Sequence, residues 1–251
     1  MSTANWIIRT HSSPRLRLFC FPYAGGGASI YRTWPGKLPP TVEVCPIYLP
    51  GRENRIREKL FTHISPLVQA LEDALQPHLD RPFAFFGYSL GALVAFELTR
   101  HLRRNQLPSP EYLFMAAHRA PQHPQHDSAV HQLPDPEFIR AVHRLGGTPE
   151  AVLQHEELMQ VLLPILRADF TIYETYIYDE EPPLACPISA FGGEQDQTVS
   201  VQELEGWHAQ TLGAFSLRIL PGNHFFLHSS QDLLIQSISQ DLTPILQSRL
   251  E

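Results

Sequence analysis

Residues 85–98, FFGYSLGALVAFEL, place Ser89 between two glycines at the point where a strand pattern becomes a helix pattern. The apolar run FAFF (83–86) that precedes the serine is typical of a buried strand, and ALVAFELTRHL (92–102) has apolar residues at helical spacing. The pentapeptide GYSLG fits the G-x-S-x-G pattern of a sharp strand-to-helix turn, in which Gly87 and Gly91 leave room for crowded backbone. The stretch predicts an α/β fold with the Ser89 hydroxyl exposed above a sheet.

The rest of the chain alternates in the same way, which is typical of a mostly parallel sheet flanked by helices. The predicted strands are residues 16–21, 42–49, 83–87, 112–117, 187–193 and 215–220. The predicted helices between and after them are residues 64–79, 92–104, 201–212 and 233–246.

Residues 121–183 interrupt this alternation, because they contain no convincing strand. Two segments, DPEFIRAVHRLGG (135–147) and HEELMQVLLPILRADFTIYETYIY (155–178), have helical patterns, with Asp135 as a predicted N-cap and the two glycines as a helix end. A single crossover needs only about a dozen residues. We therefore expect one domain over residues 1–251, with 121–183 as a helical lid insertion.

Composition limits the classes of function. A net charge of −7 lacks the basic footprint of a nucleic-acid-binding protein. The N-terminus has no signal-peptide pattern and no window approaches the about 20 apolar residues of a membrane span, so a cytoplasmic protein without membrane contact is expected. The three cysteines lack metal or disulfide spacing and are predicted to be free.

A serine nucleophile needs a base and an acid, which in this fold class follow it in the order acid, then histidine. AFGGEQDQTVS (190–200) offers Asp196 just after a strand, with Glu194 as the competitor. FSLRILPGNHFFLH (215–228) offers His224 in the loop after the last strand, with His228 as the competitor. The predicted triad is Ser89, Asp196 and His224.

The glycine-rich loop FCFPYAGGGAS (19–29) follows the first strand and lets backbone N–H groups approach a substrate carbonyl. We predict the amides of Ala24 and Leu90 as the oxyanion hole. A phosphate-binding loop is the alternative, but the loop lacks the lysine and the glycine spacing of such sites.

Two further stretches contain candidate binding residues. LPGRENRIREK (49–59) clusters basic residues, of which Arg52 is the candidate for binding a phosphate or an acidic partner, and Arg55, Arg57 and Lys59 are expected to pair with Glu53 and Glu58. HPQHDSAVH (123–131) is only poorly suited to a metal, so no metal site is predicted.

Taken together, these motifs make the sequence similar to the type II thioesterases that accompany non-ribosomal peptide and polyketide synthases. The resemblance covers nearly the whole chain. It is carried by the stretches LFCFPYAGGGAS (18–29), LPGRENR (49–55), FFGYSLGALVAFEL (85–98), HRAP (118–121), LPDPEFIRAVHRLGGTP (133–149), LLPILRADFTIYETY (162–176), PLACPISAFGGEQD (183–196) and LPGNHFFL (220–227).

The resemblance implies an α/β-hydrolase fold and a thioesterase that removes wrongly loaded acyl groups from the phosphopantetheine arm of carrier proteins. Ser89 would be the nucleophile, His224 the base and then the acid, and Asp196 the orienting carboxylate, without a cofactor and in a monomer. Tyr23 and His118 depart from the family pattern and would alter pocket shape or polarity, and Tyr23 is therefore a substrate-binding candidate.

Two alternatives stay open at the level of sequence. The same triad would serve an acyltransferase or a general esterase, because the acyl-enzyme is common to all of them. A non-catalytic carrier-binding protein is the other, although such a role does not call for an intact triad.

Overall fold

The computed structural model describes residues 6–8, 14–124, 129–145 and 155–247. The strands are β1 Leu16–Phe21, β2 Val42–Pro46, β3 Phe83–Tyr88, β4 Tyr112–Ala116, β5 Ile188–Gly193 and β6 Phe215–Leu220. The α-helices are α1 Ile64–Leu75, α2 Leu90–Arg104, α3 Asp135–Leu145, α4 Glu156–Glu174, α5 Val201–Glu205, α6 Phe226–Ser229 and α7 Gln231–Gln247. Short 3₁₀ helices span Ala28–Tyr31, Glu53–Arg55, Gln76–His78 and Gly206–Gln210.

The six strands form one parallel sheet in the order β2-β1-β3-β4-β5-β6. This topology, with helices on both faces, is that of the α/β-hydrolase fold, so the predicted fold class is confirmed. All six predicted strands are present in the described part of the chain.

Three predicted boundaries are wrong. β2 ends at Pro46 instead of continuing to residue 49, because after the bond from the Ile47 amide to Cys20 the next amide, that of Tyr48, donates to the carbonyl of Trp6 at 2.8 Å. α1 ends at Leu75 and continues as a 3₁₀ turn that contains Pro77. The helix predicted over 201–212 is α only to Glu205, and Gly206 begins a 3₁₀ turn.

Alternate side chains of the central strands point to opposite faces of the sheet, as strand geometry requires. Phe19, Phe21 and Phe85 pack on the face that α1 and α2 cover. Leu18 and Phe86 pack on the other face, where α7 lies. Both faces of β1 and β3 are buried, which explains their continuous apolar sequences.

Helices α3 and α4 lie in the chain between β4 and β5 and pack against each other through Phe138, Val142 and Leu166. Asp135, the predicted N-cap, is instead the first helical residue of α3, and its carboxylate pairs with Arg167 at 2.6 Å. The predicted helix end at Gly146 and Gly147 lies outside the described residues. None of the described helices combines the length and hydrophobicity needed to cross a bilayer.

The turn between β3 and α2 holds α2 very close to the end of β1. An added Cβ at Gly91 would lie 2.1 Å from the carbonyl oxygen of Phe21, and one at Gly87 would lie 2.3 Å from the carbonyl oxygen of Gly91. Both contacts are with backbone, which cannot swing aside as a side chain can. Glycine is therefore required at both positions for α2 to start where it does.

We expect Gly91→Ala to lower the free energy of unfolding by about 3 kcal/mol or more, because the methyl group forces α2 away from β1. Urea denaturation measures the change. Gly36→Ala is the matched control, since an added Cβ at Gly36 meets no atom within 4 Å. Equal stability of the two variants would contradict the steric argument.

Candidate active site

The candidate site lies at the point in the sheet where successive strands change from one side of β1 to the other. From β1 the chain moves to β2 on one side, and it then returns to place β3 on the other side of β1. In open parallel sheets the crevice at such a switch point, at the carboxyl ends of the strands, is where ligands bind. The loop that follows β1 contains Ala24, and the residue that follows β3 is Ser89.

Ser89 has a left-handed backbone conformation, with φ 52° and ψ −119°. Non-glycine residues seldom adopt this conformation, so it is maintained by its surroundings. The amide of Ser89 donates to the carbonyl of Ala116 at 2.8 Å, which fixes the turn to the end of β4. The strained turn lifts the serine hydroxyl away from the strand and toward the crevice.

The three predicted triad residues come together in one chain of hydrogen bonds. Nε2 of His224 lies 3.1 Å from Oγ of Ser89, and Nδ1 of His224 lies 2.8 Å from Oδ2 of Asp196. Because an ionised carboxylate only accepts, Nδ1 carries the proton and Nε2 presents a lone pair to the serine hydroxyl. This is the tautomer in which the imidazole can take the serine proton.

The Asp196 carboxyl is deeply buried, with 1% of its side chain exposed. Burial by itself raises its pKa, but hydrogen bonds from His224 and Thr198 and the charge of His224 outweigh burial, so the pKa of Asp196 is lowered. The carboxylate is therefore ionised at neutral pH and stabilises an imidazolium beside it.

Thr198 connects the acid and the base, and sequence reasoning did not find it. Its Oγ1 lies 2.7 Å from Oδ1 of Asp196 and 2.9 Å from Nδ1 of His224, and its amide donates to the same Oδ1 at 2.8 Å. The only sequence signal is that Thr198 lies two residues after a candidate acid, where a hydroxyl and an amide commonly fold back onto the carboxylate.

Tyr88 supports the histidine from the opposite side. Its hydroxyl donates to the carbonyl of His224 at 2.6 Å and accepts from the amide of Leu227 at 3.2 Å. The variable position before Ser89 thus fixes the loop that carries His224. A variable position in a motif gives no sequence signal for this role.

Most amides of the glycine-rich loop already have acceptors. Gly25 donates to Asp169 at 2.7 Å and Gly26 donates to the carbonyl of Tyr23 at 2.9 Å. Among the described residues, no group accepts from the amide of Ala24. Ala24 and Leu90, the predicted oxyanion donors, lie together with Ser89 in the wall of one cavity.

This cavity has a volume of about 360 Å³ and reaches from the triad to α3 and α4. Its wall is mainly apolar. Lining residues from the insertion are Val130, Ala141, Arg144, Phe170, Tyr173 and Glu174. The cavity is of the size that small-molecule sites usually have, and its mostly apolar wall suits an acyl chain.

His118, one of the two positions noted as unusual, also lines the cavity. Its Nδ1 lies 2.5 Å from the carbonyl oxygen of Arg119, so Nδ1 is the donor. Burial lowers the pKa of His118 to about 4, against an opposing contribution from that hydrogen bond. The ring is therefore neutral at pH 7 and adds polarity to the wall without charge.

The competing acid and base are placed elsewhere. Glu194 is exposed, and His228 bonds through Nε2 to the hydroxyl of Tyr23 at 3.1 Å. Asp196 and His224 are therefore the residues that form a chain of hydrogen bonds with Ser89.

The two substrate-binding candidates are not among the residues of the cavity wall. Tyr23 is held by His228 and packs edge-on against Phe225, with ring centroids 5.2 Å apart. Arg52 is 6% exposed, and its guanidinium binds both carboxylate oxygens of Asp169 at 2.7 and 2.8 Å. Both polar groups are occupied by protein partners, so the geometry does not support direct contact of either residue with a substrate in the cavity.

The other basic residues of the stretch 49–59 form only part of the expected network of ion pairs. Arg55 pairs with Glu58 at 2.5 Å and lies over the ring of Trp6 at 4.1 Å. Glu53 accepts instead from the amides of Ala28 and Ser29 at 2.9 and 3.0 Å. Arg52 pairs instead with Asp169 on α4, more than a hundred positions away in the sequence. A local sequence pattern could not identify this partner.

Cys20, Cys45 and Cys186 are free and buried, as predicted. Within the described ranges, no group of three or more His, Cys, Asp or Glu side chains is arranged to hold a metal ion. Residues 125–128 of the histidine-containing stretch lie outside those ranges.

The chain is similar to known proteins both in sequence and in fold. The sequence model of the thioesterase domain family matches residues 16–242. LgrE of Brevibacillus parabrevis, named linear gramicidin dehydrogenase, is 45% identical over 98% of this chain and 95% of its own length. The thioesterase PikA5 of Streptomyces venezuelae is 38% identical over 94% of this chain and 85% of its own length.

Among solved structures, RedJ, a thioesterase from the prodiginine biosynthetic pathway in Streptomyces coelicolor, superposes with a TM-score of 0.86. It is 41% identical, and the match covers 91% of each chain. The name of LgrE refers to a dehydrogenase, whereas PikA5, RedJ and the matching family are all named for thioesterase activity. The family match, these identities and the site geometry agree: this chain belongs to the thioesterase domain family, the enzymes that its motifs resemble.

Proposed function

We propose that this hydrolase releases acyl groups from the phosphopantetheine arms of carrier proteins in peptide or polyketide biosynthesis, using Ser89, His224 and Asp196. The observation that carries the proposal is the hydrogen-bonded chain from Asp196 through His224 to Ser89 at an acyl-sized cavity. The relatives LgrE and RedJ are named for linear gramicidin and for the prodiginine pathway, which supports a carrier-bound substrate.

In the first half-reaction, Oγ of Ser89 adds to the thioester carbonyl carbon while Nε2 of His224 takes the hydroxyl proton. The carbonyl oxygen becomes an oxyanion, which the amides of Ala24 and Leu90 bind. Removing one such donor typically costs about 3 kcal/mol of transition-state stabilisation. When the C–S bond breaks, the imidazolium returns the proton to the departing thiol, and an acyl-enzyme remains.

In the second half-reaction, His224 takes a proton from a water molecule as its oxygen adds to the acyl carbon. Collapse of the second oxyanion breaks the ester bond to Ser89, which regains the proton from His224. The acyl group leaves as the free acid. This scheme uses only groups of this chain, the substrate and water, so we propose no cofactor.

The insertion of α3 and α4 fits the role of a lid that admits the arm. It supplies six residues of the cavity wall, and its two helices pack on each other around Phe138. The proposal includes a single domain with this lid and a cytoplasmic monomer that meets carrier-protein domains.

Ser89→Ala should abolish acyl release, because the variant cannot form the acyl-enzyme. The measurement is free acid formed from an acyl-phosphopantetheinyl carrier protein, with acetyl and longer chains compared. Equal release by variant and wild type would overturn the proposal. Faster cleavage of a matched oxygen ester, or transfer to an added alcohol, would instead indicate the esterase or acyltransferase alternative.

Asp196→Asn should lower kcat by about 10³- to 10⁴-fold with little change in KM, because an amide that donates to Nδ1 places the imidazole proton on Nε2. Steady-state kinetics on the same carrier substrate measures the loss. The unfolding midpoint of the variant serves as the control for misfolding. A fall of less than about tenfold would show that Asp196 does not orient the base.

In Thr198→Val, a methyl group of similar size replaces the hydroxyl that bonds to both Asp196 and His224. We expect kcat to fall about tenfold or more, in proportion to a lost hydrogen bond to a charged group. Thr198→Ser, which keeps the hydroxyl, should restore most of the rate. The downfield proton resonance of His224 Nδ1–H should shift in the valine variant, and an unchanged resonance with an unchanged rate would remove Thr198 from the site.

A further inference from the structure

The glycine-rich loop after β1 is held by a buried ion pair whose two members come from distant parts of the chain. Asp169, on α4, accepts from the amide of Gly25 at 2.7 Å. Arg52 binds both oxygens of Asp169 and also donates to the carbonyl of Gly26 at 3.1 Å. Asp169 is 2% exposed. The pair therefore holds an amide and a carbonyl of two successive glycines next to Ala24.

Helix α4 also touches the loop directly. Gly25 has φ +76°, and an added Cβ there would lie 2.6 Å from Cδ2 of Leu166, one turn from Asp169 on the same helix. The far end of the loop is held separately, by the Glu53 carboxylate on the amides of Ala28 and Ser29. The loop is thus fixed at both ends, and its active-site end is fixed to the lid insertion.

We propose that Arg52 and Asp169 form a clamp that positions the oxyanion loop, so that the Ala24 amide points at the developing oxyanion only while α4 is seated. This inference rests on the proposed function, in which Ala24 is an oxyanion donor. Arg52 and Asp169 are positioning residues, since neither lines the cavity and both act through the loop.

The geometry of the two side chains explains why an arginine and an aspartate can hold the glycine-rich loop in a fixed position. A guanidinium binds both carboxylate oxygens in a planar, bidentate arrangement, which fixes direction as well as distance. A carboxylate with two oxygens can bind the guanidinium and the Gly25 amide at once. Because an oxyanion donor must lie within a few tenths of an ångström of its place, small changes in the clamp are expected to reduce the rate.

A consequence is that lid and oxyanion hole are coupled. If α4 moves outward to admit the arm, Asp169 moves with it and the Gly25 amide loses its acceptor. The oxyanion hole would then be complete only when the lid has closed over the bound acyl group. Hydrolysis would be restricted to substrates that permit this closure.

The experiment compares Arg52→Lys, Asp169→Asn and the double variant with wild type, in the full chain. A lysine cannot span both oxygens, and an asparagine has one acceptor oxygen in place of the two that accept from three N–H groups. We expect each single variant to lose about tenfold in kcat with KM within about twofold, and the double variant to lose little more than either, because the residues act as a unit.

The second readout is the inhibition constant of a short-chain alkyl trifluoromethyl ketone. Oγ of Ser89 adds to its carbonyl carbon, His224 takes the proton, and the ketone oxygen becomes an oxyanion in the hole. Affinity for this adduct should fall by the same factor as kcat. Equal losses of kcat and adduct affinity at an unchanged KM indicate that the clamp positions the oxyanion hole. A residue that only stabilises the fold would not produce this pattern.

Arg17→Lys is the matched control, because Arg17 is a buried arginine bound to Asp80 and to the carbonyl of His78, at the opposite end of β1. It should lower stability without changing kcat or adduct affinity. If Asp169→Asn fails to fold, Asp169→Glu keeps the charge pair while shifting the carboxylate by one methylene.

The outcomes separate the two proposals. If Ser89→Ala abolishes acyl release but the clamp variants keep wild-type kcat and adduct affinity, the clamp is overturned and the proposed function stands. Additive losses, or a loss of kcat with unchanged adduct affinity, also overturn the clamp. Activity that survives in Ser89→Ala overturns the proposed function itself.

Discussion

The close passage of helix α2 over the end of strand β1 is the contact on which the site depends. Gly91 brings the helix backbone so near to Phe21 that no side chain fits between them. The same approach brings Ser89, at the start of α2, beside the loop that follows β1. Ser89 and the glycine-rich loop are therefore neighbours, because β1 and β3 are adjacent at the point where the strand order reverses.

The chemistry of the site is set by how its charges are buried. Asp196 is almost fully removed from solvent, yet His224 and Thr198 supply enough hydrogen bonds to keep it ionised. Burial lowers the pKa of His118 to about 4, and the raising contributions of the Arg119 carbonyl and of Glu203 do not offset it, so this ring is neutral. The Asp196 carboxylate can therefore stabilise an imidazolium at His224, whereas the His118 imidazole in the cavity wall stays uncharged.

The same principle explains Arg52. A buried guanidinium is stable only with a well-placed carboxylate, and here that carboxylate belongs to helix α4 and also holds the glycine-rich loop. An ion pair between two distant segments contributes to stability only modestly, but it specifies how those segments are placed. In this fold the two segments are helix α4 and the glycine-rich loop beside Ser89.

The amino-acid sequence was sufficient to predict the α/β class, the order of strands along the chain and the candidates Ser89, Asp196 and His224, because strand periodicity and turn glycines are local properties. It was also sufficient to predict the family, since several motifs occur in the expected order. The folded structure was needed to find that Thr198 bonds to both Asp196 and His224, that Tyr88 holds the loop of His224, and that Arg52 pairs with Asp169. Those contacts join residues through space, and a periodic pattern carries no information about which distant side chain a buried charge will meet.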